Sequence, residues 1–163
     1  MINYSYDIGV EYIQIPLFND SSIQSKLNSN LFISIIEIIQ AKGIKSILET
    51  DVLAEKLSAF LDNFSNHIFI TYDTGNSNYF GYDIINELKI LFKHIHIKDS
   101  TLKKPNVPIG EGQVDFETVL SYLEGNNYTY NYILETPYQK NYNVSADYYI
   151  NYLKSNGGVS FEV

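Results

Sequence analysis

Residues 68–76 read Ile68-Phe69-Ile70-Thr71-Tyr72-Asp73-Thr74-Gly75-Asn76. Their β-branched and aromatic side chains predict a β-strand, and Asp73 follows directly where that strand ends. Three further strand-like runs carry an acidic or imidazole side chain at or near their ends, at residues 44–49, 95–99 and 132–135. Segments with helical periodicity separate the four runs, so strands and helices alternate along the chain. This alternation predicts an α/β fold with a parallel sheet.

Five strands, each followed by a helix, are predicted over the whole chain. The strands are placed at residues 10–17, 44–48, 67–72, 93–97 and 130–134. The first helix has apolar positions from Ile23 to Ile39 and Gly43 as its C-cap. The later helices are placed at residues 52–63, 82–92, 116–124 and about 145–155, and residues 99–114 are predicted to form a polar loop. A β/α unit of roughly 25 to 40 residues is typical of a barrel or a doubly wound sheet.

The composition limits the classes of function. The 163 residues suffice for a single domain, 1–163, with a sizeable core. A net charge of −8 and a sequence pI of about 4.7 make the chain a poor candidate for binding nucleic acid. The absence of cysteine excludes disulfides, thiolate metal sites and cysteine nucleophiles, and it fits a cytoplasmic protein. We expect neither a signal peptide nor a membrane-spanning segment.

Four side chains at the strand ends form a candidate metal site. Glu49, Asp73, His96 and Glu135 each lie at or just past the end of a predicted strand. Because the carboxyl ends of parallel strands meet at one face of the fold, we expect these side chains to converge there. Three carboxylates and one imidazole suit a hard divalent cation. Asp73 could instead end its strand in an Asx-turn, and each glutamate could be an ordinary solvated carboxylate of a loop.

Five short motifs resemble those of a known family. In chain order they are Leu48-Glu49-Thr50, Tyr72-Asp73-Thr74-Gly75-Asn76, His94-Ile95-His96-Ile97-Lys98-Asp99, Ile109-Gly110-Glu111-Gly112-Gln113-Val114-Asp115-Phe116 and Leu134-Glu135-Thr136. Together they resemble the sugar-phosphate isomerase/epimerase family of xylose-isomerase-like TIM barrels. The resemblance covers nearly the whole chain, and it implies a TIM barrel fold.

The resemblance also implies a function. Members of that family hold a divalent ion, commonly Mn²⁺, Mg²⁺ or Co²⁺, on residues that correspond here to Glu49, Asp73, His96 and Glu135. The two glutamates of the family also act as an acid/base pair, which moves a proton next to the carbonyl of a ketose sugar or sugar phosphate through an enediolate. The implied activity is that of a metal-dependent isomerase or epimerase of carbohydrate metabolism.

The chain departs from the family in length. Family members have about 250 to 300 residues and eight β/α units, whereas this chain has 163 residues. We therefore expect it to correspond to strands 4–8, as the partial barrel of a truncated or split protein. An open parallel sheet exposes strand edges that a closed barrel removes. For that reason we expect a homo-oligomer, or a complementary chain that covers the open barrel.

Three further residues are candidates for binding the substrate. Asn76 could hydrogen-bond a sugar hydroxyl or could be a turn residue, and Glu111 lies in a shaped loop beside the site. Lys98 alternates with His96 and could face the sugar or a phosphate, although a solvated lysine is the favoured interpretation. His94 is expected to lie one layer deeper than His96, as a core residue or as a residue behind the metal ligands.

Two other functions compete with the isomerase. A metal-dependent endonuclease for abasic DNA shares the implied fold, but it needs a basic groove and more histidines than the three present here. The second competitor is a non-catalytic fragment, which keeps the metal ligands and assembles only with a partner chain. The mass of the species in solution, measured together with its activity, separates this fragment from the enzyme.

Overall fold

The computed structural model describes residues 2–18, 27, 29–62, 68–89, 92–137 and 142–157. The helices are α1 (Ile2–Asp7), α2 (Asn30–Ala41), α3 (Ala54–Asp62), α4 (Thr74–Tyr79), α5 (Ile84–Leu88), α6 (Phe116–Gly125) and α7 (Tyr142–Gly157). The strands are β1 (Tyr12–Leu17), β2 (Lys45–Thr50), β3 (Ile68–Asp73), β4 (Phe92–Ile97), β5 (Asp99–Thr101), β6 (Lys104–Val107) and β7 (Asn131–Leu134).

Five of the strands form one sheet, in the order β1-β2-β3-β4-β7. Strand β1 pairs with β2, β2 with β3, and β4 with β7, each time in parallel. The register places Glu49 opposite Thr71 and His96 opposite Ile133. The predicted α/β class with five parallel strands and intervening helices is therefore confirmed.

The chain forms two compact units, of which the first comprises Met1–Thr71 and Ile90–Lys93. Its core is made by apolar side chains of β2, α2 and α3. The most deeply buried of them, each at most 1% exposed, are Ile36, Ile39, Ile47, Leu48 and Leu57. The rings of Phe32 and Phe60 join α2 to α3, with their centroids 6.0 Å apart.

The second unit comprises Tyr72–Lys89 and His94–Val163. Its buried apolar side chains come mainly from β4, from the loop after β6, and from α6 and α7. They include Ile95, Ile97, Ile109, Phe116, Val119, Leu120, Tyr149 and Leu153. Helix α6 packs against α7, and the rings of Phe116 and Tyr152 meet edge to face. A single domain over residues 1–163 stays a prediction.

The ends of helix α2 follow from local chemistry. The hydroxyl of Ser29 accepts a hydrogen bond from the backbone N–H of Phe32, at 3.2 Å, and so caps the first turn. The helix closes at Gly43, whose φ of +71° is the left-handed conformation that glycine adopts without a steric penalty. The C-cap residue itself is Lys42, so Gly43 lies one position past the C-cap rather than at it as predicted. The part of the predicted helix around Ile23 lies outside the described residues.

Two local predictions were wrong. Residues 99–114 were expected to be a loop, but they begin with the antiparallel hairpin of β5 and β6. Its turn is closed by the hydroxyl of Thr101, which accepts from the backbone N–H groups of Lys103 and Lys104. The helix expected at 82–92 is shorter, because α5 ends at Leu88 and β4 begins at Phe92. Within the described part of the chain, every helix is too short or too polar to cross a membrane.

Candidate metal centre

Asp73 is the last residue of β3 and is 5% exposed. Its Oδ1 accepts a hydrogen bond of 2.8 Å from the backbone N–H of Asn76, so Asp73 is the N-cap of α4. Burial raises the pKa of the Asp73 carboxyl, and the charge of Lys98 together with the Asn76 N–H opposes this rise. One carboxylate oxygen of Asp73 is thus engaged in capping the helix, as the Asx-turn interpretation predicts. The role of Asp73 as a metal ligand stays a prediction.

His96 and Glu135 are neighbours on adjacent strands. His96 lies on β4 and is 6% exposed, and its Nδ1 is 3.1 Å from Oε2 of Glu135. Glu135 comes directly after β7, and its backbone N–H donates to the carbonyl of Ile97, at 3.0 Å. The ladder therefore continues past the strand end, and it directs Glu135 to the face that carries His96.

The electrostatics of Glu135 favour its ionised form. Contact with His96 and with the Lys98 ammonium lowers the pKa of Glu135 to about 2, although partial burial opposes the shift. At neutral pH this carboxylate is therefore charged, which is the form that binds a cation or accepts a proton.

Lys98 lies directly between two of the candidate ligands. Its Nζ is 3.3 Å from Oδ2 of Asp73, 3.1 Å from Oε1 of Glu135 and 3.3 Å from Oδ1 of Asn76. The side chain is 11% exposed, so the favoured interpretation of a solvated lysine was wrong. Burial by itself would lower the pKa of Lys98, but the two carboxylates outweigh it and raise the pKa above its usual value.

Glu49 belongs to the first compact unit, near the carboxyl end of β2. Its Oε2 accepts a hydrogen bond of 2.7 Å from Nε2 of Gln14, a residue of β1. Oε1 of Gln14 in turn accepts from the hydroxyl of Thr71 on β3, at 3.3 Å. Gln14 is not among the site residues that the sequence predicts. Gln14 is a polar residue between Ile13 and Ile15 in an otherwise apolar strand, and this pattern could have identified it as a candidate.

Three of the candidate ligands come together within the second unit. Asp73, His96 and Glu135 each offer one ligand atom, and these atoms lie within 4.8 Å of one another. The separation of 3.1 Å between His96 Nδ1 and Glu135 Oε2 suits two neighbouring ligands of one octahedral ion, which are about 3.0 Å apart for bonds of about 2.1 Å. Carboxylate oxygens with one imidazole nitrogen suit Mg²⁺, Mn²⁺ and similar ions. The residues present therefore fit a divalent metal.

Asp99, which was not among the predicted site residues, is a buried carboxylate that shapes the loop after β6. Asp99 is 1% exposed, and its two oxygens accept hydrogen bonds from four backbone N–H groups. These belong to Ser100, Gly110, Gly112 and Val114, at distances of 2.8 to 3.2 Å. A carboxylate with this many N–H donors is well compensated for its burial. Asp99 therefore determines the path of the loop that follows β6.

The remaining predicted residues have different surroundings. Asn76 lies in the first turn of α4, where its side chain accepts from Lys98. Glu111 is exposed in the loop after β6. His94 is half-buried on β4 opposite Asn131, and its pKa is lowered by burial and by His96. The substrate-binding roles of Asn76, Lys98 and Glu111 stay predictions.

The amino-acid sequence matches the model of a known protein family. A model of the xylose isomerase-like TIM barrel family matches residues 4–155 of the chain. The chain belongs to this family. The resemblance inferred from the five motifs is therefore confirmed, and the five parallel strands with their helices are a partial TIM barrel.

Solved structures share this fold. A D-allulose 3-epimerase from Methylomonas sp. is 17% identical with a TM-score of 0.73, over 95% of this chain and 66% of that protein. A 3-keto-D-glucoside 4-epimerase from E. coli is 17% identical with a TM-score of 0.70, over 94% and 67% of the two chains. A xylose isomerase-like TIM barrel protein from Mycobacterium smegmatis, in complex with magnesium, is 15% identical with a TM-score of 0.62, over 96% and 64%.

The chain thus spans about two thirds of the length of these proteins. No curated protein matches the chain. Several of the similar structures are sugar epimerases by name.

Proposed function

We propose that this chain is a divalent-metal-dependent isomerase or epimerase that acts on a ketose sugar or sugar phosphate. The observation that carries the proposal is the group of Asp73, His96 and Glu135, whose ligand atoms lie within 4.8 Å of one another. These three side chains come from the carboxyl ends of β3, β4 and β7. Active sites of TIM barrels are built at that end of the strands.

Glu49 is the proposed fourth ligand, and the strand register supports this. Glu49 lies opposite Thr71 in the parallel pairing of β2 with β3. Asp73 follows Thr71 by two residues on the same strand, and residues two apart in a strand face the same side. Glu49 therefore shares a face of the sheet with Thr71, and its role as a ligand together with Asp73 is part of the proposal.

The proposed chemistry moves a proton between two carboxylates. When bound, the divalent ion would polarise the carbonyl of the sugar as a Lewis acid. One of Glu49 and Glu135, as a carboxylate, would remove the proton from the carbon next to that carbonyl. The other, as a carboxylic acid that has first taken up a proton from water, would donate a proton back to the sugar. The low pKa of Glu135 keeps it ionised at neutral pH, so it is ready to bind the ion or to accept a proton.

The similar structures support this choice of reaction and cofactor. Two of them are epimerases of sugars by name, and a third holds magnesium. The chain spans about two thirds of the length of these proteins. That this chain is active by itself is therefore part of the proposal, and so are the identity of the sugar and the identity of the ion.

Metal binding is the first test. The melting temperature is measured with and without millimolar Mn²⁺ for wild type, for Glu135→Gln and for the control Glu124→Gln, which changes an exposed glutamate of α6. An ion at one hundred times its dissociation constant stabilises the folded state by roughly 2.7 kcal/mol, which corresponds to several degrees. We expect this shift in wild type and the control and none in Glu135→Gln. An equal shift in all three would remove Glu135 from the ligand set.

Proton transfer is tested separately in D₂O. A ketose is incubated with the Mn²⁺-loaded protein, and NMR follows deuterium entering the carbon next to the carbonyl. We expect exchange and epimerisation in wild type, and loss of both in Glu49→Gln and in Glu135→Gln. Deuterium exchange in Glu135→Gln at a rate near that of wild type would contradict the proposed acid/base role of Glu135.

A further inference from the structure

We propose that Lys98 is a built-in counter-cation of this centre, which neutralises one carboxylate, matches the ligand set to one divalent ion and weakens the binding of that ion. This inference rests on the proposed metal site. The side chain of Lys98 is 11% exposed, and its ammonium lies 3.3 Å from Asp73 and 3.1 Å from Glu135, which are two of the candidate ligands.

Three consecutive residues after β3, namely Thr74, Gly75 and Asn76, hold Lys98 in this position. The hydroxyl of Thr74 accepts from the backbone N–H of Lys98 at 2.9 Å and donates to its carbonyl at 2.6 Å. Gly75 leaves room for the alkyl chain, because a Cβ there would lie 2.6 Å from Cγ of Lys98. The side chain of Asn76 accepts from Nζ, at 3.3 Å. Thr74 therefore binds the backbone of Lys98, Gly75 leaves space for its alkyl chain, and Asn76 binds its ammonium.

The hydrogen-bonding capacity of the ammonium is fully used. A lysine ammonium has three N–H donors and no acceptor. Oxygens of Asp73, Glu135 and Asn76 surround Nζ at 3.1 to 3.3 Å, so each donor has a partner. Lys98 is thus committed to the ligand carboxylates, which argues against the alternative that it anchors a substrate phosphate.

Charge balance indicates what the lysine does for the ion. Before substrate binds, with every carboxylate ionised, the proposed set of Glu49, Asp73 and Glu135 carries three negative charges. One ammonium and one divalent ion together supply three positive charges, so the loaded centre is neutral. Burial of an unbalanced charge is costly, and the ammonium lowers that cost for the buried Asp73 before any ion binds. The same ammonium repels the incoming ion, since both contact the same carboxylates.

The test measures the affinity for Mn²⁺ by titration calorimetry and the melting temperature without metal. Lys98→Met keeps an unbranched side chain of similar length and removes the charge. We expect its metal-free melting temperature to fall below that of wild type. We also expect its dissociation constant for Mn²⁺ to fall at least roughly tenfold, because the repulsion is gone. The control Lys89→Met removes an exposed lysine that bonds only to Asn86 among the described contacts, and its affinity should equal that of wild type.

A second variant covers the case in which Lys98→Met does not fold. Gly75→Ala keeps every charge but places a Cβ against the stem of Lys98, which displaces the ammonium from its oxygens. It should also bind Mn²⁺ more tightly than wild type. Equal or weaker binding in the folded variants would overturn the role of Lys98 and leave the metal site standing. Failure of wild type and both variants to bind Mn²⁺ would overturn the proposed function and this inference together.

Discussion

The side-chain amide of Gln14 donates a hydrogen bond of 2.7 Å to Oε2 of Glu49, from β1 to the neighbouring strand β2. The same amide accepts from Thr71 on β3, so the orientation of its oxygen and nitrogen is determined by both contacts. Gln14 therefore restricts the orientation of the Glu49 carboxylate. Side chains that orient metal ligands in this way contribute strongly to affinity in metalloproteins.

Replacement of Gln14 by leucine removes this contact at similar side-chain size. We expect the affinity for Mn²⁺ to fall roughly tenfold, the lower end of the usual effect of losing a residue that orients a ligand. Titration calorimetry measures it, with Gln40→Leu on α2 as the control for the chemical change. Unchanged affinity in Gln14→Leu would mean that Glu49 needs no support from β1, or is not a ligand.

Substitutions of Asp73 separate its capping role from its proposed metal role. Asparagine retains an oxygen that can accept from the N–H of Asn76, whereas alanine does not. We expect both Asp73→Asn and Asp73→Ala to lose the rise in melting temperature with Mn²⁺. Without metal, alanine should be less stable than asparagine by about 1 kcal/mol in urea unfolding. A metal-induced rise retained by Asp73→Asn would contradict the assignment of Asp73 as an anionic ligand.

Gly112 should be intolerant of any side chain. A Cβ at this position would collide with the carboxylate of Asp99 and would lie 2.6 Å from the carbonyl oxygen of Ser100. We expect Gly112→Ala to destabilise the fold by about 1–3 kcal/mol, as overpacking does, measured by urea unfolding. Gly125→Ala is the matched control, because a Cβ at Gly125 meets nothing within 4 Å. Similar stabilities for the two variants would show that Asp99 does not constrain the loop.

The stabilisation that Asp115 provides should depend on pH. The backbone N–H and the hydroxyl of Thr118 hold the pKa of Asp115 below its usual value of 3.8. A carboxyl whose pKa is lower when folded contributes stability above the unfolded pKa and loses it as the pH falls through the folded pKa. Asp115→Ala should cost about 1 kcal/mol at pH 7, and this difference should shrink as the pH falls below about 3.8.

The matched variant for this experiment is Asp115→Asn, which keeps an oxygen at the cap and has no titrating group. Its stability relative to Asp115→Ala should not change between pH 7 and pH 3, as measured by denaturant unfolding. A difference between wild type and alanine that stays constant over this range would contradict the charge contribution of Asp115.

The open ends of the sheet lead to a prediction about assembly. Strands β1 and β7 come first and last in the strand order of the described sheet, and Ile133 of β7 is 38% exposed. Unpaired strand edges favour association, so we expect a mass above 18.7 kDa in light scattering coupled to size exclusion. A species of 18.7 kDa that binds metal and exchanges substrate protons would contradict a required partner.

The sequence alone was informative where the signal is local or repeats with a regular period. The strands near 44–48, 67–72 and 93–97 are apparent from their β-branched residues, and the structure places β2, β3 and β4 within two residues of these bounds. The end of α2 near Gly43 could be predicted because the left-handed conformation that ends a helix favours glycine. The hairpin at 99–107 was missed, because Lys104-Pro105-Asn106-Val107 has little intrinsic β propensity.

The sequence by itself determined the alternation of strands and helices, and the acidic and imidazole residues at the strand ends, because each depends on residues close together in the chain. Only the tertiary structure decided what those residues contact. Lys98 is buried because Asp73 and Asn76, more than twenty residues earlier, supply oxygens for its ammonium. Gln14 supports Glu49 from a strand 35 residues away. Such pairings depend on strand order and register, which local periodicity does not contain.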